Sequence, residues 1–173
     1  MEGLVIKAEK IARKAHKGQF RWNGSPYIVH PKAVAESFNE EEIDCRVVGW
    51  LHDVIEDGNY TAKKLNNLGI PKYLVDAVEF LTKVKEENYY DFIFRCALNP
   101  ISKEVKIADI KNNLSDLKEG NLKDKYRFAL HILENSHYGV ITENRNLRNT
   151  PLEKGHPSEN LGSGINSQQN ESK

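Results

Sequence analysis

The sequence lacks a charge imbalance: 25 Lys and Arg are met by 25 Asp and Glu, and the formal net charge is zero. Proteins that grip nucleic-acid polymers through the phosphate backbone need a basic excess. None is expected as a partner here, and a small polyanion must be met by a local pocket instead. Cysteine is nearly absent. Cys45 and Cys96 lie far apart and outside any disulfide framework or zinc-knuckle spacing, so two buried thiols in a reducing compartment are expected. No run of 18 apolar residues occurs, and Met1-Glu2-Gly3-Leu4 leads into a Lys-rich amphipathic segment rather than a signal-peptide core. These absences predict a soluble, cytoplasmic protein with no membrane partner. There is no internal repeat, and 173 residues with 39% hydrophobic content suffice for one ordinary core but not two.

The chain itself reads as almost entirely helical. Residues 4 to 16 place Leu4, Ile11, Ala12 and Ala15 on one side and Lys7, Lys10, Lys14 and Lys17 on the other, until Gly18 stops the helix. Residues 19 to 26 form a turn-rich connector with Asn23-Gly24 and Ser25-Pro26. Pro31 suits the first turn of a helix running to about Phe38, which puts His30 at a helix N-terminus. A central apolar helix is expected from Glu40 to Glu56, stopped by Asp57-Gly58-Asn59. Thr61 is the expected N-cap of a short helix ending at Leu68-Gly69. Pro71 opens another helix into Thr82, and further helices are expected at 86 to 98, 100 to 117 and 121 to about 144. Residues 147 to 173 are rich in Ser, Asn, Gln, Gly and Pro and read as a flexible polar tail, leaving residues 1 to 146 as the domain. Trp50, Phe92, Phe94 and Phe128 fit a core or an oligomer interface equally well.

Chemistry concentrates in Leu51-His52-Asp53-Val54-Ile55-Glu56-Asp57. On a helix His52 and Glu56 stand four apart, as do Asp53 and Asp57, so all four side chains share one surface. Carboxylates at that density repel one another, and a cation or imidazolium between them is the usual remedy. The plain alternative is a solvated acidic helix end with His52 as a core histidine. His30, and Asp109 behind the apolar face of Ile101, Val105, Ile107 and Ala108, tilt the balance. Two imidazoles and two carboxylates from separate helices suit a divalent transition ion.

Gly24-Ser25-Pro26-Tyr27-Ile28-Val29-His30-Pro31, Leu51 to Asp57, Leu81-Thr82-Lys83, and Lys106-Ile107-Ala108-Asp109 with Asn113-Leu114 occur in that order over roughly residues 8 to 117. This ordered set resembles the HD superfamily, specifically the guanosine polyphosphate hydrolase domain of bifunctional and small alarmone hydrolases. The resemblance implies an all-α, single-domain HD-type helical bundle in which His30, His52, Asp53 and Asp109 ligate one Mn²⁺, with Fe, Co and Zn as alternatives. It implies that Glu56 and Asp57 lie beside the ion and activate or position the attacking water. It also assigns substrate contacts to Arg21, Thr82 and Asn113. Lys111, close to Asp109 in sequence, is added as a possible phosphate contact against the simpler reading of a solvated charge.

The chain departs from the family pattern in two places. Trp22 follows Arg21 where many members carry Lys, which removes a phosphate contact or substitutes an indole able to stack on a base. Ile110-Lys111-Asn112 follows Asp109 in place of Arg-Leu-His or Lys-Leu-Tyr. The expectation is a monofunctional hydrolase of a small nucleotide that removes the 3′-pyrophosphate from ppGpp or pppGpp, because the chain stops where the long enzymes continue into a synthetase domain. The alternatives are an HD phosphohydrolase of another small nucleotide, such as a dNMP or NADPH, and a nucleotide-binding module without turnover. His16, His131, His137 and His156 have no partner pattern of comparable weight.

Overall fold

Helix α3 (Ile43–Leu51) is the hub of the computed structural model, which describes residues 3–136. It packs against α1 (Leu4–Ala15), α2 (Val29–Glu36), α5 (Lys72–Leu81) and α7 (Pro100–Asp116). Its own sequence explains the central position, because Val47, Val48, Gly49, Trp50 and Leu51 are all buried and leave it no solvent face over its last turn and a half. Helices α4 (Ala62–Asn67), α6 (Tyr89–Cys96) and α8 (Asn121–Asn135) complete the set among the described residues. The architecture is all-α, with one isolated bridge between Phe20 and Pro26 closing the connector loop. No described helix is long and apolar enough to cross a membrane.

The central helix is shorter than the expected 40 to 56, and this changes how the acidic segment is displayed. At its start, Asn39 donates both its backbone and side-chain N–H to Glu42 Oε2, making a turn rather than a helical entry. At its end, the helical pattern stops at Leu51. Residues 52 to 57 form successive turns, with Val54 N–H bonded to Leu51 O and Asp57 N–H to Asp53 O. Gly58 follows, where an added Cβ would fall 2.6 Å from Val54 O and 2.9 Å from Ala15 Cβ. The chain doubles back against α1 too tightly for any side chain. His52 is therefore the C-cap of α3, and Asp53, Glu56 and Asp57 sit on turns, not on a helical face.

Side-chain caps fix three other helix starts. Thr61 accepts from Lys64 N, Asn88 from Tyr90 N and Asn99 from Ser102 N. Thr61→Ala is expected to cost about 1 kcal/mol, read as a lower denaturant midpoint at unchanged m-value. Asn88 starts α6 later than residue 86, and Cys96 ends it before 98. Helix α8 ends at Asn135 rather than 144, with Ser136 in extended backbone and its hydroxyl bonded to Leu133 O. The expected tail, residues 147 to 173, lies outside the described residues. Trp50 and Phe92 are core, whereas Phe94 and Phe128 are exposed. Both cysteines are free thiols, Cys96 buried and Cys45 only half-buried. Burial pushes the Cys96 thiol up to about 12.

Candidate metal centre and its cleft

Each prospective ligand is delivered by a different local device. His30 is the second residue of α2, whose first turn accommodates Pro31, and its N–H bonds to Tyr27 O at 3.0 Å. His52 and Asp53 occupy the exit of α3. Asp109 lies in the middle of α7 between buried Val105 and Ile110. The three elements bring the ligand atoms of His30, His52 and Asp109 within 4.8 Å of one another, all three residues being buried. His30 Nε2 is 3.2 Å from His52 Nε2 and 3.1 Å from Asp109 Oδ1. Asp53 Oδ2 joins them at 3.0 Å from His52 Nε2 and 3.8 Å from His30 Nε2.

The surrounding hydrogen bonds aim these rings. His52 Nδ1 donates to Gly49 O at 2.8 Å and His30 Nδ1 donates to Asn112 Oδ1 at 2.7 Å, so both Nε2 atoms face the shared centre. Electrostatics act in the same direction. Burial opposes charge on His52, but the Asp53 and Asp109 carboxylates raise its pKa to about 9. Burial also opposes ionisation of Asp109, yet the Lys106 ammonium at 2.8 Å and the two imidazoles hold it well below the usual carboxylate range. Asp53 is likewise lowered, its burial outweighed by His52. Both carboxylates thus draw positive charge to this point. A divalent cation meets that demand in place of a proton, and the mixed nitrogen and oxygen donors suit one, so the residues present fit a metal.

Above this floor lies a cleft of about 470 Å³ lined by Arg21, Trp22, His30, Asp53, Glu56, Asp57, Asp109 and Asn113, among others. Glu56 Oε2 accepts from Lys83 N–H at 3.0 Å. Asp57 Oδ2 accepts from the Tyr27 hydroxyl at 3.2 Å. Arg21 Nη2 contacts Asn113 Oδ1 at 3.2 Å and Asp116 Oδ2 at 3.3 Å, and Asn113 in turn donates to Asp109 Oδ1 at 2.6 Å. Trp22 is 69% exposed at the rim.

Two of the residues singled out from the sequence are placed elsewhere. Lys111 pairs with Glu134 at 2.9 Å and borders a separate groove between α2 and α7. It stands two residues from Asp109, about 200° around the helix, and so faces away. Thr82 is absent from the cleft lining; its hydroxyl bonds back to Val78 O, and its carbonyl accepts from Arg95 Nη2. Arg95 also bonds Glu79 O, Phe80 O and both Glu87 carboxylate oxygens, tying the loop after α5 to α6. Sequence reasoning passed over Lys106, Tyr27, Asn112 and the buried His16. Lys106 was the most accessible of these, since position i−3 from Asp109 puts an ammonium on the same helical face.

No family model matches the chain. The guanosine-3′,5′-bis(diphosphate) 3′-pyrophosphohydrolase of Haemophilus influenzae is 36% identical over 136 residues, covering 72% of this chain and 20% of that protein. The protein of the same name from Vibrio cholerae is 35% identical over 136 residues, 72% of this chain and 19% of its own length. GTP pyrophosphokinase of Myxococcus xanthus is 32% identical over 146 residues, 76% of this chain and 19% of that protein. The chain spans about a fifth of the length of these curated relatives. Among solved structures, a metazoan ortholog of SpoT described as hydrolysing ppGpp matches with a TM-score of 0.63 at 19% identity, over 86% of this chain and 97% of that one. That likeness is one of fold.

Helices placed in this way around an adjacent His-Asp pair define an all-α domain of the HD type. Over that stretch, the chain is similar to guanosine polyphosphate pyrophosphohydrolases and pyrophosphokinases.

Proposed function

We propose that the protein is a Mn²⁺-dependent hydrolase that removes the 3′-pyrophosphate of ppGpp or pppGpp, yielding GDP or GTP and pyrophosphate. The observation that carries this reading is the convergence of His30, His52, Asp53 and Asp109 beneath a cleft that also holds Glu56 and Asp57. In the reaction, water adds to the phosphorus bonded to the ribose O3′, the P–O3′ bond breaks, O3′ takes up a proton and pyrophosphate departs. His30, His52, Asp53 and Asp109 would hold the ion, which when bound lowers the pKa of water and polarises a phosphoryl oxygen. Glu56 and Asp57 face the cleft as carboxylates able to accept the proton of the attacking water. Arg21 offers a forked donor to phosphate, exchanging Asp116 for the substrate's charge. The base has an aromatic rim available in Phe20 and Trp22, with Asn113 as an amide partner on the inner wall.

The test is product analysis with purified protein and Mn²⁺, offering ppGpp beside GTP, dNMPs and NADPH, with Asp53→Asn as control. GDP and pyrophosphate in equal amounts, lost in the variant, are expected. Turnover confined to a dNMP or NADPH would move the specificity, and binding of ppGpp without release would replace hydrolysis by a binding role.

A further inference from the structure

The Tyr27 hydroxyl bonds to two of the three carboxylates on the turn after α3, those of Asp53 and Asp57. It lies 2.7 Å from Asp53 Oδ2 and 3.2 Å from Asp57 Oδ2, so a single phenolic proton sits between a prospective metal ligand and a prospective proton acceptor. The ring is itself held. It packs at a tilt on His16 with centroids 4.8 Å apart and meets His30 edge-on at 6.1 Å. The backbone of Tyr27 is anchored too, its N–H donating to Gln19 O at 2.9 Å.

Gln19 reaches the same turn from the other side. Its Nε2 donates to the Asp57 carbonyl at 2.8 Å, and its Oε1 lies 2.7 Å from His16 Nδ1. Because the amide nitrogen is spent on Asp57, the amide oxygen must accept, and His16 Nδ1 must donate. His16 is only 3% exposed, so its ring holds the partly buried Gln19 amide from the core side. Residues 52 to 57 form turns rather than a helix, and without i to i−4 hydrogen bonding through the whole segment their side-chain directions need outside support. Two like-charged carboxylates separated by a few residues also repel. The connector loop supplies both a proton between the carboxylates and a fixed amide on the backbone.

We propose that Tyr27 and Gln19, braced by His16, form a two-point clamp that sets the orientation of Asp53 and Asp57, making Tyr27 a positioning residue for metal binding and for the hydrolytic step. The clamp rests on the hydrolase reading for its kinetic consequence but not for its effect on metal affinity. Partners of this kind behind metal ligands typically change affinity or activity by about 10–100-fold when removed.

The experiment compares wild type with Tyr27→Phe, which keeps the ring and its contacts with His16 and His30, and with Gln19→Ala. Mn²⁺ binding is measured by calorimetry, ppGpp hydrolysis by initial rates, and folding by thermal melting. Tyr27→Phe is expected to weaken Mn²⁺ binding by roughly tenfold or more and lower kcat by roughly 10–100-fold with KM within about twofold. Gln19→Ala is expected to shift kcat in the same direction by a smaller factor. Unchanged Mn²⁺ affinity in Tyr27→Phe, or a change confined to KM, would overturn the clamp. If wild type hydrolyses none of the nucleotides, the hydrolase reading falls, and the Mn²⁺ isotherms alone decide the clamp.

Discussion

Asp109→Asn protein is expected to lose Mn²⁺-dependent pyrophosphate release from ppGpp by on the order of a thousandfold or more, equivalent to about 4 kcal/mol of transition-state stabilisation. The carboxylate does two jobs that asparagine cannot do. Its Oδ1 points at His30 Nε2 and belongs to the cluster of prospective ligand atoms, while its Oδ2 neutralises Lys106. Asparagine is nearly isosteric, so the shape of the floor persists and only charge is removed. Lys106 would then keep a buried ammonium, 4.9 Å from the Phe92 ring centroid, without its carboxylate. Removing one member of a buried pair costs about 3–5 kcal/mol, so the metal-free variant should also melt roughly 10 °C lower. Calorimetric Mn²⁺ titration, a melt and a product assay on one preparation check both halves. Near-wild-type turnover would remove Asp109 from the ligand set, and an unchanged melting temperature would show that Lys106 does not depend on it.

The second large effect is expected at a residue with no side chain. A Cβ at Gly49 would lie 2.9 Å from Ala35 Cα and 3.1 Å from Ala35 N, contacts with backbone that no rotamer change relieves. Overpacking of this kind costs about 3 kcal/mol at the upper end of the usual range, and the better helix propensity of alanine offsets about 1 kcal/mol. Gly49→Ala should therefore destabilise the fold by about 2 kcal/mol, a fall of roughly 5 °C in Tm. The consequence for function is geometric. Gly49 belongs to α3 and Ala35 to α2, so wedging these helices apart separates His52 from His30, now 3.2 Å apart between their Nε2 atoms. Mn²⁺ affinity should drop alongside stability. A variant that melts higher, as an ordinary helical glycine-to-alanine change would, refutes the close crossing.

Much of this was legible in the sequence because the relevant forces are local. Apolar periodicity located α1, α5 and α7, Pro31 and Pro71 marked the starts of α2 and α5, and Thr61 capped α4 as expected. His30, His52, Asp53 and Asp109 stood out by residue type and order, and the fold brings them to one point. The misreadings came where local preference meets packing. The segment from His52 to Asp57 has the composition of a helix end, but it must turn tightly at Gly58 against Ala15, and that contact depends on α1. Thr82 follows its own helix cap rather than the cleft, and Lys111 points to the far side of α7.

The sequence by itself determined a helical chain, a neutral surface charge and the inventory of imidazoles and carboxylates, because helix propensity, capping and titration chemistry are properties of short segments. Only the tertiary structure decided which groups meet. Arg21 reaches Asn113 across 92 residues, His30 finds Asn112 across 82, and the Tyr27 hydroxyl bridges Asp53 and Asp57 from a separate loop. Such contacts arise from how helices cross around α3, and their strength comes from burial, which removes competing water and makes each pairing of charge and hydrogen bond count.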